Sequence, residues 1–207
     1  MGISPPNLSR RRAVIAGWSE NEAGARDFFN DESAATRASA VAALTRMGCL
    51  TTDDLRMALD DPSPVVRRRA LLSLPDRWSP ELATAIDLAA TLDDADHYVL
   101  EVACFVAGEC QPSAPRVVER LCEIASGHDD PLCRESAVAA LGSLGDPAAR
   151  ETVVAACRDK ATVRRRAVLA LTAFDGDDVD AMLVTMASDV DWQVRQAAEE
   201  LLAIGSA

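Results

Sequence analysis

Apolar residues recur along this chain at helical spacing, and the segments that carry them repeat. TRASAVAAL (Thr36 to Leu44), VRRRALLSL (Val66 to Leu74) and VLEVACFVA (Val99 to Ala107) align without gaps. CRESAVAAL (Cys133 to Leu141), VRRRAVLAL (Val163 to Leu171) and VRQAAEELL (Val194 to Leu202) continue the series. Their second positions are Arg37, Arg67, Leu100, Arg134, Arg164 and Arg195, separated by 30, 33, 34, 30 and 31 residues. Within one segment Val66, Ala70 and Leu74 fall every four residues, which puts them on one helix face. Ala40, Ala70, Ala103, Ala137, Ala167 and Ala198 share one slot, so a small residue stands wherever neighbouring helices would meet. Cys133 occupies the slot of Val66, as a core residue would.

A second helical stretch precedes each segment. Ser79-Pro80-Glu81 opens one with an N-cap serine and a first-turn proline, and Leu82, Ala85, Ile86 and Ala89 form its stripe. Asp146-Pro147 opens another in the same way. Thr51-Thr52-Asp53-Asp54 reads as a capping box. Gly48, Gly108, Gly145 and Gly176 are read as closing helices. The unit is therefore helix, acidic loop, helix, turn. A pair of this size cannot bury its apolar face alone, whereas stacked pairs can. Arg10-Arg11-Arg12-Ala13-Val14-Ile15-Ala16 matches Arg164 through Ala170 and adds a half repeat at the start.

Asp-Pro-Ser-Pro-Val-Val-Arg-Arg-Arg-Ala, Asp61 to Ala70, resembles the HEAT repeat, and within that family the short bacterial variety first named from phycobilisome lyases. The resemblance implies an all-α fold: a right-handed α-solenoid of about six antiparallel helix pairs behind an N-terminal capping helix. It gives one domain over residues 1–207. A half repeat at 1–19 precedes repeats at about 20–48, 51–75, 79–110, 113–143, 146–174 and 177–205, and residues 1–7 are expected to be loosely held. The family pairs a loop aspartate with the arginine of the second helix in a ladder. The matching residues are Asp31 with Arg37, Asp61 with Arg67, Asp129 with Arg134, Asp159 with Arg164, and Asp189 with Arg195. Asp94 is present, but Leu100 replaces its arginine.

Composition narrows the chemistry. There are 33 Asp and Glu against 21 Lys and Arg, a net charge of −12, with aromatics at 4 % and only two histidines. An acidic chain repels nucleic acid unless its cations gather on one face. No run of eighteen apolar residues suggests a membrane span. The start shows no apolar segment before a cleavage site, and Pro6 spoils a myristoylation-like pattern. Cytoplasmic location is expected. The six cysteines, Cys49, Cys104, Cys110, Cys122, Cys133 and Cys157, form no CxxC pair and read as reduced thiols. His97 and His128 lie in acidic loops, where aspartates cap helices, so no metal is assigned. No phosphate loop, GxSxG elbow or HExxH appears, and neither catalysis nor a cofactor is expected.

In HEAT-like stacks the second helices line the concave surface. There Arg68, Arg69, Leu72, Glu101, Phe105, Glu135, Arg165, Arg166 and Leu169 form a patchwork of charges with apolar anchors. A phosphate track would repeat its cations in every unit. Mixed charge with anchors suits a protein or peptide, and the arginines suggest an acidic one. The reading is a non-catalytic scaffold binding a protein or peptide on its concave face. The alternatives implied by the resemblance are an enzyme or accessory subunit of bilin-lyase-like type, or a DNA-alkylation-repair-like protein.

Overall fold

Helix formation here follows from alanine and leucine content, from the four-residue apolar spacing and from loop residues that cap. A computed structural model describes residues 8–205, so the expected loose start at 1–7 lies outside the described residues. Every regular element among the described residues is helical. The helices group into two units that meet between Asp87 and Leu88, and each is described by itself.

The first unit contains α1 (Leu8–Trp18), α2 (Glu22–Arg26), α3 (Ala34–Arg46), α4 (Thr52–Leu59), α5 (Pro64–Leu71) and α6 (Pro80–Ala85). Helix α1 packs on α3 and α3 on α5, while α2 and α4 cover α3 and α5. The helix expected to carry Leu82, Ala85, Ile86 and Ala89 as one stripe stops at Ala85, because Ile86 adopts an extended backbone (φ −116°, ψ 119°). Asp87, a residue type that favours helix starts, follows that break.

The second unit contains α7 (Leu88–Thr91), α8 (His97–Glu109), α9 (Pro115–Gly127), α10 (Pro131–Leu144), α11 (Arg150–Ala156), α12 (Ala161–Ala170), α13 (Asp177–Met186) and α14 (Trp192–Gly205). Helices α8, α10, α12 and α14 lie side by side in one layer; α7, α9, α11 and α13 form the other.

The slot of small residues is the centre of the core. Ala13, Ala40, Ala70, Ala103, Ala137, Ala167 and Ala198 are each fully buried. Leu74, Leu141 and Leu171 are buried as the apolar stripe requires. Burial of one such leucine stabilises the stack by about 1.5–3 kcal/mol. Glycines also let neighbouring helices approach closely. A Cβ on Gly108 would stand 2.9 Å from the Cα of Ala140, one on Gly142 2.9 Å from the Cα of Ala170, and one on Gly17 2.9 Å from the Cα of Ala43. Gly108 therefore lies inside α8 as a packing residue and does not close the helix. Gly145 does close α10, in the left-handed conformation (φ 60°) that favours glycine.

Capping follows the sequence closely. Thr51 and Asp54 form the reciprocal box at α4, and the Ser79 hydroxyl accepts the Leu82 amide at 3.2 Å. Asp146 accepts the Ala148 amide at 2.9 Å, opening a 3₁₀ turn ahead of α11.

Candidate functional site

Two constellations stand out: the arginine ladder in the loops and the solvent face of the second helices. The ladder is built by one repeated fork. Nη1 of Arg37 donates to the carbonyl of Asp31 in its own loop at 2.9 Å. Its Nε and Nη2 donate to the carboxylate of Asp61, in the next repeat, at 2.8 and 2.7 Å. Arg164 repeats this with the Asp159 carbonyl and the Asp189 carboxylate, at 2.7, 2.8 and 2.7 Å. Arg134 grips the Asp159 carboxylate at 2.6 and 2.7 Å. Arg67 and Arg195 donate to the carbonyls of Asp61 and Asp189 at 2.9 and 2.6 Å. The planar guanidinium suits this, since one edge matches a carboxylate and another nitrogen remains for a carbonyl.

This corrects the pairing read from sequence. Each arginine meets its own loop aspartate through the main chain, and the carboxylates gripped by Arg37, Arg134 and Arg164 belong to the following repeat. It also removes Asp129 from the carboxylate set. Arg134 donates to the carbonyls of His128 and Asp129, at 2.6 and 3.1 Å. The position six residues before Arg134, where Asp31, Asp61 and Asp189 stand relative to their arginines, is His128. A five-residue spacing holds only at Asp159–Arg164, where the loop is one residue shorter.

The ladder aspartates also hold their own turns. Asp31, Asp61, Asp94 and Asp189 accept the amide two residues on, at 2.8, 2.8, 2.9 and 2.7 Å. The Arg134 hydrogen bonds hold Asp159 below the usual carboxylate range, and those of Arg164 do so for Asp189. At Asp61 burial pushes upward, but Arg37 and the Ser63 amide outweigh it.

A further set of ion pairs links first helices and had no sequence signal beyond scattered charge. Arg26 of α2 reaches Asp54 of α4 at 3.0 Å and the Cys49 carbonyl at 2.9 Å. Arg150 of α11 reaches Asp178 of α13 at 3.1 Å.

The second-helix face is exposed as expected at its apolar positions: Leu72, Phe105 and Leu169 are 45 %, 52 % and 44 % exposed. Ala38, which holds in α3 the position that Arg68 holds in α5, is buried. Arg69 is exposed, and Arg68, Arg165 and Arg166 are half-buried. Arg165 donates to the Gln193 side chain at 2.9 Å, and Arg166 lies 3.4 Å from Glu135. These two arginines are thus engaged within the stack, which leaves them poorly placed to greet an acidic peptide.

In the second unit this face carries a groove of about 540 Å³. Glu101, Phe105 and Glu109 of α8, Leu132 and Glu135 of α10, and Arg166 of α12 are among its walls. Glu109 and Leu132 were not among the sequence candidates. Leu132 sits on the first turn of α10, where only the packing of α8 against it reveals a wall.

Other candidate residues are dispersed. His97 begins α8 with its ring 4.0 Å from that of Tyr98, and His128 sits in the loop before α10. Among the described residues no three His, Cys, Asp or Glu side chains are grouped to hold a metal. Among the same residues no helix is long and apolar enough to cross a membrane. Trp192 is the first residue of α14. All six cysteines are free. Burial pushes Cys110 and Cys157 up to about 12 and Cys133 to about 11.

Comparison with known proteins follows from this architecture. The family profile described as HEAT repeats matches residues 85–162 and 118–203, together more than half of the chain. YibA of Escherichia coli is similar in structure, with a TM-score of 0.64, 18 % identity, and 96 % of this chain and 74 % of that one covered. An engineered protein gives a TM-score of 0.56 at 20 % identity, covering 93 % of this chain and 96 % of its own. A designed armadillo repeat protein in complex with the peptide (KR)4 gives 0.53 at 16 % identity, covering 97 % and 99 %. These likenesses show the fold, an α-solenoid. No curated protein matches the chain.

Proposed function

Because the chain belongs to the HEAT-repeat family, we propose that it is a non-catalytic interaction scaffold of the cytoplasm that binds a protein or peptide on the solvent face of its second helices. The first unit offers Arg68, Arg69 and Leu72; the second offers Glu101, Phe105, Glu135, Arg165, Arg166 and Leu169.

The observation that carries this reading is Phe105. A phenylalanine on a helix of a soluble stack is ordinarily buried, yet this one is half exposed, beside exposed Leu132 and within a groove. Aromatic and aliphatic anchors inside a polar rim are how interfaces concentrate binding energy. Free, buried thiols suit a reducing compartment.

The test is site-specific photo-crosslinking in the native cell, with the reactive residue at position 105, at 169, or at exposed Glu119 on the opposite layer. One partner should be captured from 105 and 169 and absent from 119. The purified partner should then lose at least tenfold affinity for Phe105→Ser, with the melting temperature unchanged. Capture only from 119, or none from any position, would overturn the reading.

A further inference from the structure

The scaffold reading leaves the partner's chemistry open, and the groove on α8 and α10 narrows it. Glu101, Phe105 and Glu109 stand four residues apart in succession along α8, so they share one helix face and are spaced by about 6 Å each. All three line the groove, together with Leu132 and Glu135 of α10. Three carboxylates therefore face one guanidinium, that of Arg166, which already lies 3.4 Å from Glu135. Phe105 is 52 % exposed and Leu132 37 %, so the apolar floor between the carboxylates is open to solvent. The volume, about 540 Å³, falls in the ~300–1,000 Å³ range of ligand sites.

Resting on the scaffold reading, we propose that this groove binds a basic peptide segment in extended form, with the order cation, spacer, apolar, spacer, cation. The register follows from geometry. In an extended chain alternate side chains point the same way and are about 6.6 Å apart. That matches the about 6 Å steps from Glu101 to Phe105 to Glu109. Two cations of the peptide meet the two outer carboxylates, and the apolar residue between them seats on Phe105 and Leu132.

Charge excludes the other occupants. An acidic peptide or a nucleic-acid phosphate would meet three carboxylates. A second copy would bring a chain of net charge −12 to an acidic groove. A small polycation lacks the group that would cover the aromatic ring. Each lysine or arginine would find a carboxylate in a partly desolvated setting, where such pairs discriminate between partners and speed encounter.

The full chain, isotopically labelled, is titrated with the blocked peptide Lys-Ser-Leu-Ser-Lys and followed by NMR. Controls are the peptide Glu-Ser-Leu-Ser-Glu and the reordered Lys-Leu-Ser-Ser-Lys. The expected result is shifts confined to α8 and α10. Affinity should be at least tenfold above both controls, and should fall as salt is raised. Glu109→Lys, at an exposed site, should weaken binding at least tenfold with its melting temperature unchanged. Glu101→Gln should weaken it less, and Phe105→Ser should abolish the preference for order. Equal binding of either control, an unaffected Glu109→Lys variant, or no binding at millimolar peptide overturns the proposal. If crosslinking at position 105 captures a partner whose bound segment is not basic, the scaffold reading stands and this one falls. If none of the three positions captures a partner while the peptide binds as described, the groove's preference stands and the scaffold reading falls.

Discussion

The Nδ1 of His128 accepts the backbone amide of Asp130 at 3.1 Å, the task that a ladder aspartate performs in four other loops. The imidazole keeps the turn but presents no carboxylate to the preceding repeat. There the arginine is also missing, because Leu100 fills its place, 3 % exposed. The two replacements are matched: one rung has lost its cation and its anion together, so neither partner is left buried and unpaired.

That matching is testable by a double-mutant cycle. Leu100→Arg alone should cost about 3 kcal/mol or more, since it buries a charge without a partner. His128→Asp alone should stay within about 1 kcal/mol, as a carboxylate serves the turn equally well. The double variant should recover at least half of the loss, measured by urea unfolding. Additive losses would mean that α8 and α10 cannot bring the two loops into the geometry of the other rungs.

Glycine packing makes a second prediction. Gly142→Ala places a methyl 2.9 Å from the Cα of Ala170, and Gly108→Ala one 2.9 Å from the Cα of Ala140. Backbone cannot swing aside as a side-chain tip can, so each should cost about 1–3 kcal/mol. Gly127→Ala, with nothing within 4 Å, is the control and should be neutral or stabilising by up to about 1 kcal/mol. Similar melting temperatures for all three would refute the close approach.

What the sequence made legible is what repeats in one dimension: the helix pairs, the alanine slot, the caps and the second-helix arginine with its replacement at Leu100. Contacts between repeats were harder to read. The spacing of Asp61 and Arg67 suggests a pair within one loop, but the loop curls so that Arg67 meets the Asp61 carbonyl, and the carboxylate turns back to Arg37. The register at Asp129 was off by one because a histidine held the ladder position. Gly108 looked like a terminator because its partner, Ala140, lies one repeat away. The face at Phe105 was predicted exposed, yet its acidic character depends on Glu109, a full two turns beyond Glu101, and on Arg166 being drawn to Glu135.

The thiols should be slow to react. Burial disfavours the thiolate at Cys110 and Cys157, pushed up to about 12, and at Cys133, about 11, and the thiolate is the nucleophile. The Cys133 thiol also donates to the His97 carbonyl at 3.4 Å. Native protein at neutral pH should be alkylated first at half-buried Cys49 and Cys122, and at the others only with urea. Peptide mapping after timed iodoacetamide treatment reads the order. Early labelling of Cys157 would show that α11 opens locally.

Acid should weaken the stack through the ladder. Asp61, Asp159 and Asp189 each have a folded-state pKa below the ordinary carboxylate value, which is about 3.9 in an unfolded chain. Between the two values the unfolded state binds protons that the folded state does not, so stability rises with pH there. The ladder's contribution is therefore complete above about pH 5. It drains away as pH falls through the depressed folded values, where Arg37, Arg134 and Arg164 lose their carboxylates. The urea midpoint should be flat from pH 7 to about 5 and then fall steeply. Asp159→Asn removes one such carboxylate and should lower the midpoint at pH 7 while making the acid limb shallower, because one fewer group takes up a proton on unfolding. If the variant's acid limb stays as steep as that of the wild type, the protons are being taken up elsewhere and the Arg134–Asp159 bond does not govern the acid response.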